Sequence, residues 1–262
     1  MFVHNINPVL LHLGPFEVRW YGVIYVFGFL LLLWYLNYMS KAGKTEMSKD
    51  DNYDLVFCLI IGVVAGARLF QVLIWQPWYY FSNPLEIIMI WKGGLSFHGG
   101  LAGAVAAAWW FSKQKKQSFL HIADLVTIPA VFVLALGRIG NFINGELWGT
   151  VTNVPWCVKF KGAEGCRHPV QIYGALGRFL LGGLLLLYNK EKRKEGFIFL
   201  VFMLLIGAGR LFIDFLREDP RILGLSTGQY LSIATIIIAG YFLIRFYKQE
   251  LKRFPFYSYN KS

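Results

Sequence analysis

The stretch Trp20-Tyr21-Gly22-Val23-Ile24-Tyr25-Val26-Phe27-Gly28-Phe29-Leu30-Leu31-Leu32-Leu33-Trp34-Tyr35-Leu36-Asn37-Tyr38-Met39-Ser40 runs for 21 residues without an aspartate, glutamate, lysine or arginine. As an α-helix it rises about 30 Å, the thickness of a bilayer's hydrocarbon core. Each ionised side chain at that depth costs roughly 2.5–3.5 kcal/mol on insertion scales, so an uncharged run of this length predicts a transmembrane helix. Residues 93–112 give a second such run and residues 222–244 a third. The first run has no early basic region before it and no small-residue cleavage site from Lys41 onward, which predicts a permanent helix rather than a signal peptide.

Four further apolar stretches carry charges inside them or at their ends: 53–75 with Arg68, 119–139 with Asp124 and Arg138, 168–188 with Arg178, and 197–216 with Arg210 and Asp214. Seven helices result. The composition agrees, with 56% hydrophobic and 16% charged residues, against about 45–50% and about 25% in soluble domains. Such a chain lacks the charged skin of a water-soluble enzyme, and it is too apolar to be disordered. The net charge of +11 is not spread evenly. Fifteen basic residues fall in 41–50, 113–116, 190–194 and the tail from Arg245, eight fall on the opposite side, and Arg68, Arg178 and Arg210 lie within spans. The positive-inside rule then puts the N-terminus outside and the C-terminus in the cytoplasm, and it assigns the basic excess to anionic lipid rather than to nucleic acid. The predicted fold is all-α: a polytopic membrane protein of seven transmembrane helices forming a single domain over 1–262. An aromatic external arm at 76–94 lies in the membrane interface, and an external loop or small head covers 145–167. No repeat suggests an inverted-repeat transporter.

Polar groups inside apolar helices need partners or a function to offset their insertion cost. The densest group is Gly137-Arg138-Ile139-Gly140-Asn141-Phe142-Ile143-Asn144-Gly145-Glu146-Leu147-Trp148-Gly149. In a continuous helix Arg138, Asn141 and Asn144 share a face. A guanidinium suits a phosphate and amides can donate to ester or glycerol oxygens, so this face fits a phospholipid headgroup. The competing reading is an arginine snorkelling to the interface with asparagines joining helices. His98, in Ser96-Phe97-His98-Gly99-Gly100, has an imidazole able to accept a proton near neutral pH, and it is either a general base or a substrate-orienting group, or else a structural histidine. Arg210, Asp214 and Arg217 recur at i, i+4 and i+7, so Asp214 can orient both guanidiniums or simply lock helices together. Tyr21 offers a hydroxyl at an outer helix end, where interfacial tyrosines are also common. Arg68 is open to snorkelling, to pairing with Asp54 or Asp124, or to ligand contact.

Cys58 needs no role beyond packing. Cys157 and Cys166 fall in one external loop, where an oxidising compartment lets them pair. Cys166 near His168 lacks further ligands at zinc spacing, so no metal is expected.

The runs Trp20-Tyr21-Gly22, Gly94-Leu95-Ser96-Phe97-His98-Gly99-Gly100, the thirteen residues from Gly137 to Gly149, Arg167-His168-Pro169 with Gln171 and Tyr173, and the Arg210 helix occur in the order seen in bacterial prolipoprotein diacylglyceryl transferases. The chain resembles that family from about residue 16 to residue 246. The resemblance implies a seven-helix inner-membrane enzyme, active toward the periplasmic leaflet, that moves the diacylglyceryl group of phosphatidylglycerol onto the lipobox cysteine of a preprolipoprotein. A thioether forms and glycerol phosphate leaves, with no cofactor. By residue matching, Tyr21, His98, Arg138, Asn141, Asn144, Glu146, Gly149 and Arg210 fall on family motif positions. Tyr21, His98, Arg138, Glu146 and Arg210 are the catalytic candidates; Arg138, Asn141, Asn144, Gly149, Arg210, Asp214, Arg68, Gly99 and Gly100 are the substrate-binding ones. The thiol's base is His98 or, second, Glu146. Two positions depart from the family pattern: Asp214 stands where glutamate is more usual, and Gly174 where an acidic residue is frequent. An anionic-lipid transporter or a non-catalytic assembly protein could carry the same basic cluster.

Overall fold

The computed structural model describes residues 2–14 and 16–253; Met1, Pro15 and the tail from Phe254, with Lys261 of its basic group, lie outside the described residues. In chain order come β1 (Phe2–Val3), β2 (Val9–Leu13), β3 (Phe16–Arg19), α1 (Trp20–Lys41), α2 (Lys49–Phe70), α3 (Pro77–Ser82), α4 (Phe97–Gln114), α5 (Phe119–Ile143), β4 (Val158–Lys159), α6 (Val170–Tyr188), α7 (Phe197–Ile213), β5 (Arg221–Ile222), β6 (Leu225–Ser226), α8 (Thr227–Phe246) and α9 (Lys248–Lys252). The fold is mostly helical, as the charge pattern predicts, with short strands at helix ends that the pattern does not reveal.

Six helices are long and apolar enough to cross a membrane: α1, α2 with its π-helical extension to Trp75, α5, α6, α7 with its last turn to Leu216, and α8. The seventh expected span, α4, falls short of that test. Freedom from charge is not the same as hydrophobicity. The run 93–112 opens on Gly93 and Gly94 in left-handed conformation, its helix starts only at Phe97, and His98 and the glycines dilute its apolar content. The run 222–244 likewise begins in a hairpin, β5 against β6, before α8 starts behind a Ser226 capping box.

Two compact units divide the chain. In Leu31–Ala123, α2 and α4 pack along small residues. A Cβ on Gly62 or Gly66 would strike the α4 backbone at Gly103 or Gly99, and a Cβ on Gly99 or Gly103 would strike α2. Two glycines spaced i, i+4 on each helix thus let the two backbones touch, the small-xxx-small contact of membrane helices. Ser48 caps α2, and the buried Asn52 amide donates to Asn37 Oδ1 at 3.0 Å and Ser40 Oγ at 2.9 Å. The arm at 76–94 folds as α3 followed by two short 3₁₀ turns, with Trp78 82% exposed and Phe81, Leu85, Ile88 and Trp91 also facing outward.

The other unit comprises Met1–Leu30 and Asp124–Ser262. Asp124 accepts from the backbone N–H groups of Gly196 (2.7 Å) and Phe199 (2.8 Å), so it caps the start of α7. Asp54, for its part, binds Lys115 at 2.7 Å. Both carboxylates weighed as partners for Arg68 are therefore engaged elsewhere. The loop 145–167 is a small head. The Cys157–Cys166 disulfide closes it, β4 pairs in parallel with β1, and isolated bridges join Val151 and Val158 to Arg167 and Gly149 to Arg217.

Candidate active site

The C-terminal end of α5 is shaped by its own stop signal. Gly145 adopts φ 68°, its N–H bonds to Phe142 O at 2.9 Å, and the Glu146 N–H bonds back to Asn141 O at 3.1 Å. This is a Schellman end. It reverses the chain so that Glu146 Oε1 accepts from both Asn141 Nδ2 (2.8 Å) and Asn144 Nδ2 (3.1 Å). The predicted face of Arg138, Asn141 and Asn144 is thereby modified. The helix ends at Ile143, and one N–H of each amide is held by Glu146 rather than pointing away from the protein. Gln171 Nε2 donates to Glu146 O at 2.6 Å and fastens this turn to the first turn of α6.

Arg138, half-buried, lies within electrostatic reach of Arg210, Arg217, Tyr21 and Asp214. Among the described residues it has neither a hydrogen-bond acceptor nor an ion-pair partner in the protein. Tyr21 rests on the bare face of Gly140, where a Cβ would lie 2.8 Å from the ring, and its hydroxyl accepts from Tyr25 at 3.3 Å.

Arg210 Nε lies 3.5 Å from Asp214 Oδ2, and Asp214 is 3% exposed. The shorter aspartate arm therefore still reaches its i, i+4 arginine, as a loose ion pair. Gly228 in the first turn of α8 is pressed against both side chains, and a Cβ there would collide with the carboxylate. The expected ladder stops at this pair. One 3₁₀ turn, Asp214–Leu216, follows α7 and Arg217 is extended (φ −112°, ψ 153°), so Arg217 leaves the helical face and binds Asp219 through two bonds of 2.7 and 2.9 Å. Those bonds hold the Asp219 carboxyl below the usual carboxylate range.

Gly149 serves the protein itself. Its N–H donates to His168 O at 3.0 Å, Arg167 Nη1 donates to its carbonyl at 3.2 Å, and a Cβ would meet Leu216 O at 2.7 Å. Its missing side chain makes room for that neighbouring chain. Beside the head an apolar pocket of about 500 Å³ is lined by Phe2, Phe142, Trp156, Pro169, Ile172 and Leu176. At its edge Trp156 Nε1 donates to Tyr173 OH at 2.7 Å.

Four expected residues belong to the unit Leu31–Ala123. His98 is exposed in the first turn of α4, behind the Ser96 cap, with its ring near Phe70 and Phe97. Gly99 and Gly100 are buried against α2, where their bare backbones serve helix packing. Arg68 serves the fold as well. Nε donates to Ile87 O at 2.8 Å, Nη1 to Gly93 O, Gly94 O and Tyr80 OH at 2.7–3.1 Å, and Nη2 to Glu86 O and Met89 O. Its guanidinium also stacks 4.8 Å from the Tyr80 ring centroid. It is 6% exposed and holds the arm instead of a substrate. Arg178 of α6, which sequence reasoning left as an unassigned charge, joins the Arg138–Arg210–Asp214 group electrostatically.

A family model described as prolipoprotein diacylglyceryl transferase matches residues 8–245. A phosphatidylglycerol–prolipoprotein diacylglyceryl transferase from Photobacterium profundum is 38% identical over 255 residues, covering 95% of this chain and 96% of its own. Proteins of the same name from Polynucleobacter asymbioticus and Bordetella parapertussis are each 41% identical, covering 94% and 91% of this chain and 98% and 95% of theirs.

Proposed function

This chain belongs to the prolipoprotein diacylglyceryl transferase family, and from that premise we propose that it moves the diacylglyceryl group of phosphatidylglycerol to the lipobox cysteine thiol of a preprolipoprotein. It is a multi-pass membrane transferase. The observation that carries the site assignment is Arg138, a permanent cation within an apolar helix with no acceptor in the protein among the described residues, grouped with Arg210. Two guanidiniums of this kind bind a lipid phosphate and stabilise the charge that grows on it as glycerol phosphate departs. Asp214 orients Arg210, Glu146 orients Asn141 and Asn144 toward the headgroup's polar oxygens, and Tyr21 flanks Arg138.

The nucleophile comes from the substrate. A cysteine thiol of pKa about 8.5 is only partly ionised at neutral pH, so a base raises the thiolate fraction. His98, exposed and without a hydrogen-bond partner among the described residues, is our candidate for that base. The Glu146 carboxylate, already accepting from two amides, is assigned to orientation. Purified protein given phosphatidylglycerol and a lipobox peptide is expected to add one diacylglyceryl unit to the peptide and release one glycerol phosphate. Movement of lipid between leaflets of vesicles with no mass gain on the peptide would instead indicate transport and refute the reading.

We further propose a seventh crossing by α4, with the N-terminus outside and the C-terminus in the cytoplasm of a bacterial inner membrane. Charge parity supports this. Only if α4 crosses do the lysines of 113–116 share a side with those of 41–50 and 190–194. Its packing along glycines supplies contacts that its modest apolarity does not. The head's disulfide fits an oxidising exterior. Cysteines introduced at positions 46 and 154 are expected to react with impermeant maleimide only from inside and only from outside, respectively.

A further inference from the structure

Arg178 is the ninth residue of α6, about 12 Å along the helix from its outer end. Its side chain turns back one turn. Nη1 donates to Gly174 O at 2.8 Å, which holds the guanidinium over Gly174. Arg138 lies five residues, about 7 Å, from the end of its own helix, and the two cations act on each other electrostatically. They also share a floor. A Cβ on Gly174 would lie 2.8 Å from Arg178 Nη1 and 3.6 Å from Arg138 Cγ. Arg178 Nε is fully buried and has no acceptor.

Arg138, Arg178 and Arg210 act on one another electrostatically, and the carboxylate among them is Asp214, already paired with Arg210. Arg217 nearby is neutralised by Asp219. Among the described residues no carboxylate touches Arg138 or Arg178, so two positive charges in apolar surroundings lack a protein counter-ion, an arrangement that is stable only when an anion supplies one. An acidic side chain at 174 would give Arg178 an internal partner; glycine withholds it.

We propose that Arg178 is a third phosphate-binding residue, whose donors meet the second negative charge of the departing glycerol phosphate. The proposal rests on the transfer described above. In that step the sulfur forms a bond to the diacylglyceryl methylene carbon, the bond from that carbon to the phosphate oxygen breaks, and its electron pair stays on the oxygen. The thiol proton goes to the base. A phosphodiester monoanion becomes a phosphate monoester dianion, so a third cation binds the transition state more tightly than the lipid and raises kcat rather than lowering KM.

The test measures kcat, KM for phosphatidylglycerol and inhibition by glycerol phosphate in the full-length wild type, Arg178→Met, Arg178→Lys and Gly174→Glu. Methionine keeps length and loses charge. Arg178→Met is expected to lower kcat about 10–100-fold with KM within about threefold, and to weaken glycerol phosphate inhibition about tenfold or more. Lysine restores part of both. Gly174→Glu reproduces the weakened inhibition, since its carboxylate pairs with Arg178 while the flexible guanidinium end shifts to admit it. Unchanged kcat and inhibition in Arg178→Met overturn the proposal. If that variant does not fold, wild-type inhibition in Gly174→Glu overturns it. Should the wild type release no glycerol phosphate, the transfer itself fails. Direct binding of radiolabelled glycerol phosphate to wild type and Gly174→Glu then decides the anion site, equal binding counting against it.

Discussion

Arg68 and Arg138 are the same side chain in the same setting, an arginine near the C-terminal end of an apolar helix, and their surroundings are opposite. Arg68 donates to five backbone carbonyls and one tyrosine hydroxyl and stacks on that tyrosine's ring. Arg138 has no acceptor among the described residues, and its neighbours are further cations, one tyrosine and one paired aspartate. The first guanidinium is saturated by the chain and shapes an arm. The second keeps five donors for something else. Sequence counts both as an expensive charge in an expensive place; the acceptor inventory around each separates structural from binding arginines.

The comparison can be broken where the effect is largest. Arg68→Ala orphans several arm carbonyls, each costing about 1–3 kcal/mol when buried without a donor. It is expected to lower the thermal midpoint in detergent steeply and to expose 76–94 to proteolysis. Arg68→Lys should not rescue it, because one ammonium cannot span acceptors from Ile87 to Gly94. If Arg68→Ala keeps its midpoint and loses only activity, the distinction fails. Arg138→Ala is expected to do the reverse, cutting transfer about 10²–10³-fold with the midpoint within a few degrees, read by peptide mass gain beside a melting curve.

Smaller effects sharpen the picture within the second unit. Reducing Cys157–Cys166 removes a constraint of about 2–3 kcal/mol on the head. Reductant should therefore lower the midpoint and speed cleavage within 145–167, while leaving the Arg68 arm as protected as before. The smallest effect concerns acid. Arg217 holds Asp219 below its unfolded-state pKa, so its stabilisation is present above about pH 4 and is lost as pH falls through the depressed value. With Asp219 partly solvated, Asp219→Asn should lower the midpoint slightly at pH 7, and the difference from wild type should shrink as pH falls through the depressed value, when midpoints are followed across that range.

Much of this was legible in the chain. Runs free of charge or carrying one or two charges located α1, α2, α5, α6, α7 and α8 because insertion cost is local and additive. Arg138, Arg210 and Glu146 stood out because they are costly where they lie. The rest depends on distant partners. Nothing near Arg68 in sequence announces the carbonyls that satisfy it, since they come from an arm about twenty residues on. Arg217 could not be assigned to Asp219 without knowing that α7 ends at Ile213. Residues 93–112 are free of charge, yet their glycines and a helix that starts only at Phe97 leave α4 less apolar than the other spans. Gly174 was flagged as a departure, yet its meaning emerges only with Arg178 folded back over it.

The parallel pairing of Phe2–Val3 with Val158–Lys159 also bears on how the molecule is made. Strand β1 finds its partner only after some 150 further residues have left the ribosome. At 5–20 residues per second that is a wait of roughly 10–30 s. Throughout it, several helices must be inserted while β1 stays unpaired, so the head closes only after the helices between its two strands are in place.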